Sequence, residues 1–113
     1  MAIIIYGIPN CDTVKKLRKI MDQKSEYTFV DFKKTPPTIA LLNKWKEELG
    51  DFPVNPRGTT FREIREEYEG ASLEQKQKLL IENTSALKRP LVEVDGKLYS
   101  VGFDQEKIAS LNA

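Results

Sequence analysis

The pattern that most restricts the fold of this chain lies in residues 1–32, where a short strand, a helix and a second strand follow one another. Residues 2–6 form a continuous apolar run, which is typical of a strand buried on both faces. After Gly7 and Pro9, apolar side chains recur at helical spacing from Val14 to Met21. Residues 26–32 then alternate loosely, as in a strand. This order predicts a βαβ unit, in which a right-handed crossover joins two parallel strands.

The middle of the chain has a helical pattern from residue 38 to residue 87. Thr60 and Glu63 have the spacing of a capping box, as do Ser72 and Gln75, so each pair predicts the start of a helix. These residues therefore predict a helical insertion rather than a continuation of the sheet.

The last part of the chain returns to strands. Residues 90–94 and 97–101 are separated by Asp-Gly, the pair that suits a type I′ turn, and together they predict a hairpin. Asp104 is the predicted N-cap of a final helix that contains Ile108 and Leu111.

A βαβ unit and a ββα unit that share one sheet form the thioredoxin arrangement. We therefore predict an α/β, thioredoxin-like fold with a mixed four-stranded sheet and a helical insertion at about residues 38–87. A chain of 113 residues is long enough for one core, so we predict a single domain over residues 1–113.

Composition restricts the chemistry and the partners. Eighteen basic and seventeen acidic residues give a net charge of +1, which argues against nucleic-acid binding. No apolar stretch approaches the ~20 residues that span a bilayer, and the N-terminus lacks the pattern of a signal peptide. We predict a cytoplasmic protein with neither nucleic acid nor membrane as a partner.

The chain has one cysteine and no histidine. A single cysteine cannot form an intrachain disulfide, and without imidazole neither an ordinary zinc site nor a Cys-His catalytic pair is available. We predict no metal site, and any thiol chemistry must be activated by other groups.

Cys11 follows the first strand at the point where the first helix begins. The unpaired N–H groups of a helix N-terminus and its macrodipole favour a thiolate there, and can lower a thiol pKa from ~8.5 into the range of ~3.5–7.5. Asp12 opposes this as an adjacent negative charge, although it also complements the dipole. A lone cysteine is more often a small buried hydrophobe, but the apolar stripe of this helix begins only at Val14. The placement favours a reactive thiol.

Two arginines are candidates to hold that thiolate. Arg57 lies in the loop "NPRGTT", and Arg89 precedes Pro90 at the start of the third strand. In a thioredoxin-type sheet the segment before that strand faces the first helix, and a cis proline is common there, so Arg89–Pro90 is the candidate cis bond. Taken singly, Arg57 fits a solvated surface arginine and Pro90 an ordinary strand start. Taken with a thiolate, the two guanidinium groups suit an anion clamp.

Three stretches, "IYGIPNCDTVKKLRKIM", "NPRGTTFREI" and "KRPLVEVDGKLYSVGF", together resemble the arsenate-reductase-like family, also called ArsC/Spx/YffB, and most of all its YffB branch. The resemblance covers essentially the whole chain in the right order. It implies that Cys11 is the nucleophile and that Arg57 and Arg89 bind the oxyanion. The chain departs from the arsenate reductases at Gly102, where they carry a third arginine, and from the redox-sensing regulators at Val14, where they carry a second cysteine.

The resemblance implies a glutathione-dependent monothiol reductase, an oxidoreductase that works by thiol–disulfide exchange through Cys11. Asn10, Asp12, Thr13 and Pro90 are the candidate substrate-binding residues, with backbone N–H groups of residues 12–14 as donors to the sulfur. Glutathione is the implied co-substrate, with no tightly bound cofactor. We predict a monomer whose partners are glutathione and a thiol, disulfide or oxyanion substrate.

Two alternatives stay open. One is a glutathione- and glutaredoxin-dependent arsenate reductase. The other is a Spx-like regulatory protein that binds RNA polymerase through the helical insertion, whose basic residues are Arg62, Arg65, Lys76 and Lys78. Charges interleaved with glutamates in this way are also typical of the solvated faces of amphipathic helices.

Overall fold

The computed structural model describes residues 1–111, which form a four-stranded mixed sheet, five α-helices and one 3₁₀ turn. In chain order the elements are β1 (Ile3–Gly7), α1 (Asp12–Asp22), β2 (Thr28–Asp31), α2 (Ile39–Leu49), α3 (Thr59–Glu69), α4 (Leu73–Glu82), the 3₁₀ turn (Thr84–Ala86), β3 (Leu91–Val94), β4 (Lys97–Val101) and α5 (Gln105–Ser110). Within residues 1–111, none of the helices combines the length and the apolar character needed to cross a bilayer.

The sheet has the strand order β2-β1-β3-β4. The strands β1 and β2 are parallel, with Ile5 opposite Phe29, while β1 and β3 are antiparallel, with Ile5 opposite Val92. The last pair, β3 and β4, is also antiparallel. This is the predicted sheet, except that β2 (Thr28–Asp31) is shorter than the predicted 26–32.

The chain divides into two compact units. The first contains residues 1–32 and the chain from residue 89 onward, and therefore all four strands of the described sheet with α1 and α5. The second, residues 33–88, contains α2, α3, α4 and the 3₁₀ turn. The helical insertion expected at about 38–87 is confirmed, and the prediction of a single domain stays a prediction.

The core of the first unit lies on one face of the sheet. Its buried members come from β1, α1, β3 and the C-terminal segment: Ile3, Ile5, Leu17, Met21, Val92, Ile108 and Leu111. Each fully buried aliphatic side chain of this size contributes about 1.5–3 kcal/mol relative to an exposed one. The helical spacing of Val14, Leu17 and Met21 is therefore explained, because these residues are the fully buried ones of α1.

Helix starts in the second unit were predicted correctly at Ser72 but not at Thr60. The Ser72 hydroxyl accepts a hydrogen bond from the backbone N–H of Gln75 at 3.3 Å. The capping box at Thr60 is wrong, because α3 has Gly58 as its N-cap and Thr60 lies inside the first turn. The reason is the preceding turn, in which the Gly58 N–H donates to the carbonyl of Asn55 at 3.1 Å and leads the chain directly into the helix.

The C-terminal hairpin has the predicted turn. Asp95 and Gly96 have φ values of 51° and 83°, as a type I′ turn requires at both central positions. Asp104 caps α5 by accepting a hydrogen bond from the backbone N–H of Lys107 at 3.1 Å. The helix ends before Leu111, which was predicted to lie in it but follows it as the C-cap.

Candidate active site

The close approach of β1 and α1 places Cys11 at a helix N-terminus. Cys11 is the N-cap of α1, with extended backbone angles, and its N–H donates to the carbonyl of Ile8 at 3.1 Å. A Cβ on Gly7 would lie only 2.8 Å from Cγ2 of Val14, so only glycine lets the end of the strand meet the first turn of the helix this closely. The short loop between them therefore fixes where the sulfur stands.

The Cys11 side chain is partly exposed, whereas Val14 and Leu17 on the same helix are fully buried. Its sulfur lies 3.2 Å from the hydroxyl oxygen of Thr13, and either atom can donate in this hydrogen bond. Cys11 is therefore not one of the buried core residues. It is partly exposed, and its sulfur has a polar neighbour.

The pKa of Cys11 is lower than that of an ordinary thiol. Burial of the sulfur raises the pKa and is the largest single effect. Four hydrogen-bonding groups together outweigh it: the Thr13 hydroxyl first, then the Val14 N–H, the Arg89 side chain and the Thr13 N–H. All four stabilise the charged form, so the site favours the thiolate.

The segment Arg89–Pro90 lies next to the thiol, as predicted. Its peptide bond is cis. The Thr13 hydroxyl donates to the Arg89 carbonyl at 3.4 Å, which connects the first turn of α1 to the start of β3. On the other side, the Gly102 N–H donates to the Pro90 carbonyl at 2.8 Å. The segment is thus held from two directions, and it brings the Arg89 guanidinium to the sulfur.

Arg57 belongs to the second unit, in the loop before α3. It is exposed, and its backbone N–H donates to the Asn55 side-chain oxygen at 3.3 Å. The guanidinium of Arg65 donates to the carbonyl of Pro56 at 2.9 Å, which further fixes the loop. The assignment of Arg57 to the thiol site stays a prediction.

Among the other predicted site residues, Asn10 and Asp12 are both exposed on either side of Cys11 in the chain. Thr13 contributes more than the predicted backbone N–H, because its hydroxyl contacts both the sulfur and the Arg89 carbonyl. The sequence signal for the contact with the sulfur is a threonine two residues after a cysteine N-cap, where the side chain can turn back to the cap. Within residues 1–111 no group of three or more acidic or cysteine side chains is arranged to hold a metal ion.

A thiol at the start of the helix that follows β1, next to a cis proline that precedes β3, defines a thioredoxin-like protein. Residues 6–111 match the ArsC family, and the chain belongs to that family. The YffB protein (PA3664) has a solved structure that is 35% identical, with 99% of this chain and 100% of that chain covered and a TM-score of 0.85. An arsenate reductase (ArsC) related protein from Brucella melitensis is 36% identical, with 95% and 91% covered and a TM-score of 0.70. The global transcriptional regulator Spx 2 of Bacillus anthracis is 24% identical over 94% of this chain and 83% of its own length.

Proposed function

We propose that this protein is a glutathione-dependent monothiol oxidoreductase that works by thiol–disulfide exchange through Cys11. The observation that carries the proposal is the environment of the Cys11 side chain: the residue is partly exposed, and surrounding donors lower the pKa of its thiol. The thiolate is the nucleophile in disulfide exchange. The chain has no second cysteine, so the enzyme must be released by an external thiol.

The proposed reaction has two steps. In the first, the Cys11 thiolate attacks the glutathione sulfur of a mixed disulfide, the S–S bond breaks, and the substrate leaves as a thiolate that takes a proton from water. In the second, the thiolate of a free glutathione attacks the glutathione sulfur bound to Cys11, which forms oxidised glutathione and regenerates the Cys11 thiolate. One free glutathione thiol is consumed and one substrate thiol is released, so the disulfide passes from the substrate to oxidised glutathione and the number of disulfides is unchanged.

In this proposal the Arg89 guanidinium stabilises the thiolate, and Arg57 binds a carboxylate of glutathione. Arginine suits both tasks because its planar guanidinium stays charged and forms paired hydrogen bonds to carboxylates. Asn10, Asp12 and Thr13 contact the bound peptide, with Pro90 opposite. The proposal requires a reducing compartment rich in glutathione, and the cytoplasm is the one we propose. We propose that the chain acts as a monomer, without nucleic acid or membrane as a partner.

Intact mass after incubation with oxidised glutathione is the direct test. We expect one glutathione adduct on the wild-type protein, none on Cys11→Ser, and loss of the adduct when reduced glutathione is added. Absence of an adduct at a pH where Cys11 reacts with iodoacetamide would overturn the proposal, because the thiolate would then be available but unable to exchange.

The arginines are tested by the rate at which the protein removes glutathione from a mixed-disulfide peptide. Arg57→Ala should slow this reaction, whereas Arg62→Ala, which removes the same charge from another exposed position of the second unit, should not. Arg89→Lys keeps the positive charge but removes the planar set of guanidinium N–H donors. Because fewer donors can then stabilise the thiolate, this variant should raise the Cys11 pKa. Equal rates for Arg57→Ala and Arg62→Ala would remove Arg57 from the site.

Arsenate reduction is a second candidate, favoured by the family match and by the description of the Brucella melitensis protein. It needs the same Cys11 but must hold the oxyanion with two arginines, because Gly102 stands where arsenate reductases carry a third. Arsenate-dependent oxidation of NADPH, coupled through glutathione, glutathione reductase and glutaredoxin, decides between them. If arsenate causes no oxidation of NADPH, arsenate reduction is excluded as the function.

A regulatory role is the third candidate, favoured by the similarity to Spx 2 of Bacillus anthracis. In this case the helical insertion would bind RNA polymerase. Recovery of purified polymerase by the immobilised protein, unaffected by Cys11→Ser but lost on reversing the charges of Lys76 and Lys78, would favour regulation over catalysis.

A further inference from the structure

We propose that Thr13 is a positioning residue whose single hydroxyl proton alternates between the Cys11 sulfur and the Arg89 carbonyl. The hydroxyl oxygen lies 3.2 Å from the sulfur and 3.4 Å from the carbonyl oxygen. A hydroxyl has one proton to donate. It therefore cannot donate to both neighbours at once, and the protonation state of the sulfur decides which neighbour receives the proton.

In the neutral state, the Cys11 S–H can donate to the Thr13 oxygen while the Thr13 hydroxyl donates to the Arg89 carbonyl. This arrangement satisfies both contacts. In the thiolate state the sulfur can only accept. A hydrogen bond to a charged acceptor is roughly twice as strong as one between neutral groups, so the Thr13 proton turns to the sulfur. The Arg89 carbonyl then loses this donor.

Ionisation of the thiol is thereby linked to a contact between residues that are 76 positions apart in the chain. Formation of the thiolate breaks the hydrogen bond from the Thr13 hydroxyl to the Arg89 carbonyl, while the Arg89 side chain stays at the sulfur. The link is reciprocal: whatever strengthens the bond from Thr13 to the Arg89 carbonyl also favours the neutral thiol.

The inference rests on the proposed function for its consequence in the reaction. In the mixed disulfide the Cys11 sulfur is uncharged and has no proton, so the Thr13 hydroxyl donates to the Arg89 carbonyl again. The Thr13 hydrogen bond to this segment is thus absent when the enzyme is ready to attack and present while glutathione is attached, whereas the bond from the Gly102 N–H to the Pro90 carbonyl is kept throughout.

Other charged groups also act on this thiol. The Arg89 guanidinium approaches from the segment before β3 and favours the thiolate. Asp12 and Lys15 are exposed on α1 itself, next to Cys11 in the chain and one turn beyond it. A change in thiol pKa alone therefore does not identify Thr13, and the experiment must also observe the Arg89 carbonyl.

The experiment compares wild type, Thr13→Val, Thr13→Ser and Cys11→Ser. Valine keeps the shape of threonine without the hydroxyl, and serine keeps the hydroxyl. The Cys11 pKa is read from the pH dependence of alkylation by iodoacetamide, and the Arg89 carbonyl from its ¹³C chemical shift across the same pH range.

We expect the Arg89 carbonyl shift to inflect at the Cys11 pKa in wild type and in Thr13→Ser. In Thr13→Val the Cys11 pKa should rise and the inflection should become smaller than in wild type, because only the contribution of the Arg89 guanidinium is left; in Cys11→Ser it should be absent. An inflection of wild-type size in Thr13→Val, or an unchanged Cys11 pKa in that variant, overturns the inference. If Thr13→Val does not fold, Thr13→Ala takes its place with the same expectations.

Glutathione adduct formation by the wild-type protein separates this inference from the proposed function. An inflection without an adduct means that the hydroxyl alternates but the protein does not exchange with glutathione. An adduct without an inflection means that the proposed function stands and the role of Thr13 is wrong.

Discussion

Replacement of Gly7 by alanine is the perturbation whose effect is best determined by the structure. Gly7 does not have a positive φ, so alanine is compatible with its backbone. The obstacle is Val14: the new Cβ would lie 2.8 Å from Cγ2 and 3.3 Å from Cγ1. A valine in a helix strongly prefers one χ1 rotamer, and Val14 is 0% exposed, so its side chain has no free space into which it can move. Either β1 or the first turn of α1 must shift.

Such overpacking of a core costs about 1–3 kcal/mol. Alanine also restricts the unfolded chain more than glycine, which offsets about 0.5–1 kcal/mol. The free energy of unfolding should therefore fall, by up to about 2.5 kcal/mol. Because the N–H of Val14 helps to lower the Cys11 pKa, a shift of the first turn should also raise that pKa.

The assay is a double-mutant cycle of Gly7→Ala with Val14→Ala, followed by urea denaturation. Val14→Ala alone should cost about 1–3 kcal/mol, because it removes two buried methyl groups. In the double variant the methyl group added by Gly7→Ala occupies the space left by the Val14 methyl groups. The loss of stability of the double variant should therefore be smaller than the sum of the two single losses by about 1–3 kcal/mol.

Additive costs in this cycle would refute the reasoning, since the clash would then not be with Val14. Gly70→Ala is the matched control. Gly70 has φ −90°, and an added Cβ there would meet only the Glu66 carbonyl at an ordinary 3.7 Å. This variant should be unchanged or slightly more stable than wild type.

Three further predictions concern other parts of the chain. The buried Ser100 hydroxyl has no hydrogen-bond partner among residues 1–111, and an unpaired buried hydroxyl costs about 1–3 kcal/mol. Ser100→Ala should therefore raise the free energy of unfolding by about 1 kcal/mol in urea denaturation, and a loss of stability would contradict this. Burial first, and then the Asp51 carboxylate, raise the pKa of Tyr68 to about 12. The stability that Tyr68 contributes is complete below the ordinary tyrosine pKa of ~10 and is lost as the pH rises through the folded-state value, so Tyr68→Phe should make the alkaline decline of the melting temperature shallower than in wild type. Gly96 has φ 83°, where a side chain is strained, so Gly96→Ala should lower the free energy of unfolding by about 1–2 kcal/mol in the same urea denaturation assay. An unchanged midpoint of denaturation would show that the turn can adopt another type.

Most of the fold could be predicted from the sequence because each element carries its own local signal. The apolar run of β1, the helical spacing of α1 and the Asp-Gly turn each act over a few residues, and all three are present where predicted. The error at Thr60 has the same origin. A capping-box spacing is a local pattern, but α3 begins at Gly58 because of the turn before it, which the spacing does not include.

The site was only partly predictable for the opposite reason. The position of Cys11 follows from local elements, since it needs only the end of β1 and the start of α1. The contact from the Thr13 hydroxyl to the Arg89 carbonyl joins residues that are 76 positions apart, so it depends on tertiary structure and no local sequence pattern predicts it. The approach of Arg89 was predicted from the topology of the sheet rather than from its own neighbours in the sequence.

The N-cap position of α1 shows that a reactive thiol there lowers the stability of the fold. The helices α2, α4 and α5 have an oxygen-bearing N-cap that accepts a backbone N–H, namely Thr38, Ser72 and Asp104. At the same position α1 has Cys11, and a poor cap costs about 0.5–2 kcal/mol.

Because the pKa of Cys11 is lowered, its thiolate stabilises the folded state fully above the ordinary thiol pKa, and this contribution is lost as the pH falls through the folded-state value. Cys11→Ser should therefore be more stable than wild type at low pH, where the thiol is neutral, and the advantage should shrink as the pH rises. A stability difference that is independent of pH in urea denaturation would mean that the folded protein does not favour the thiolate.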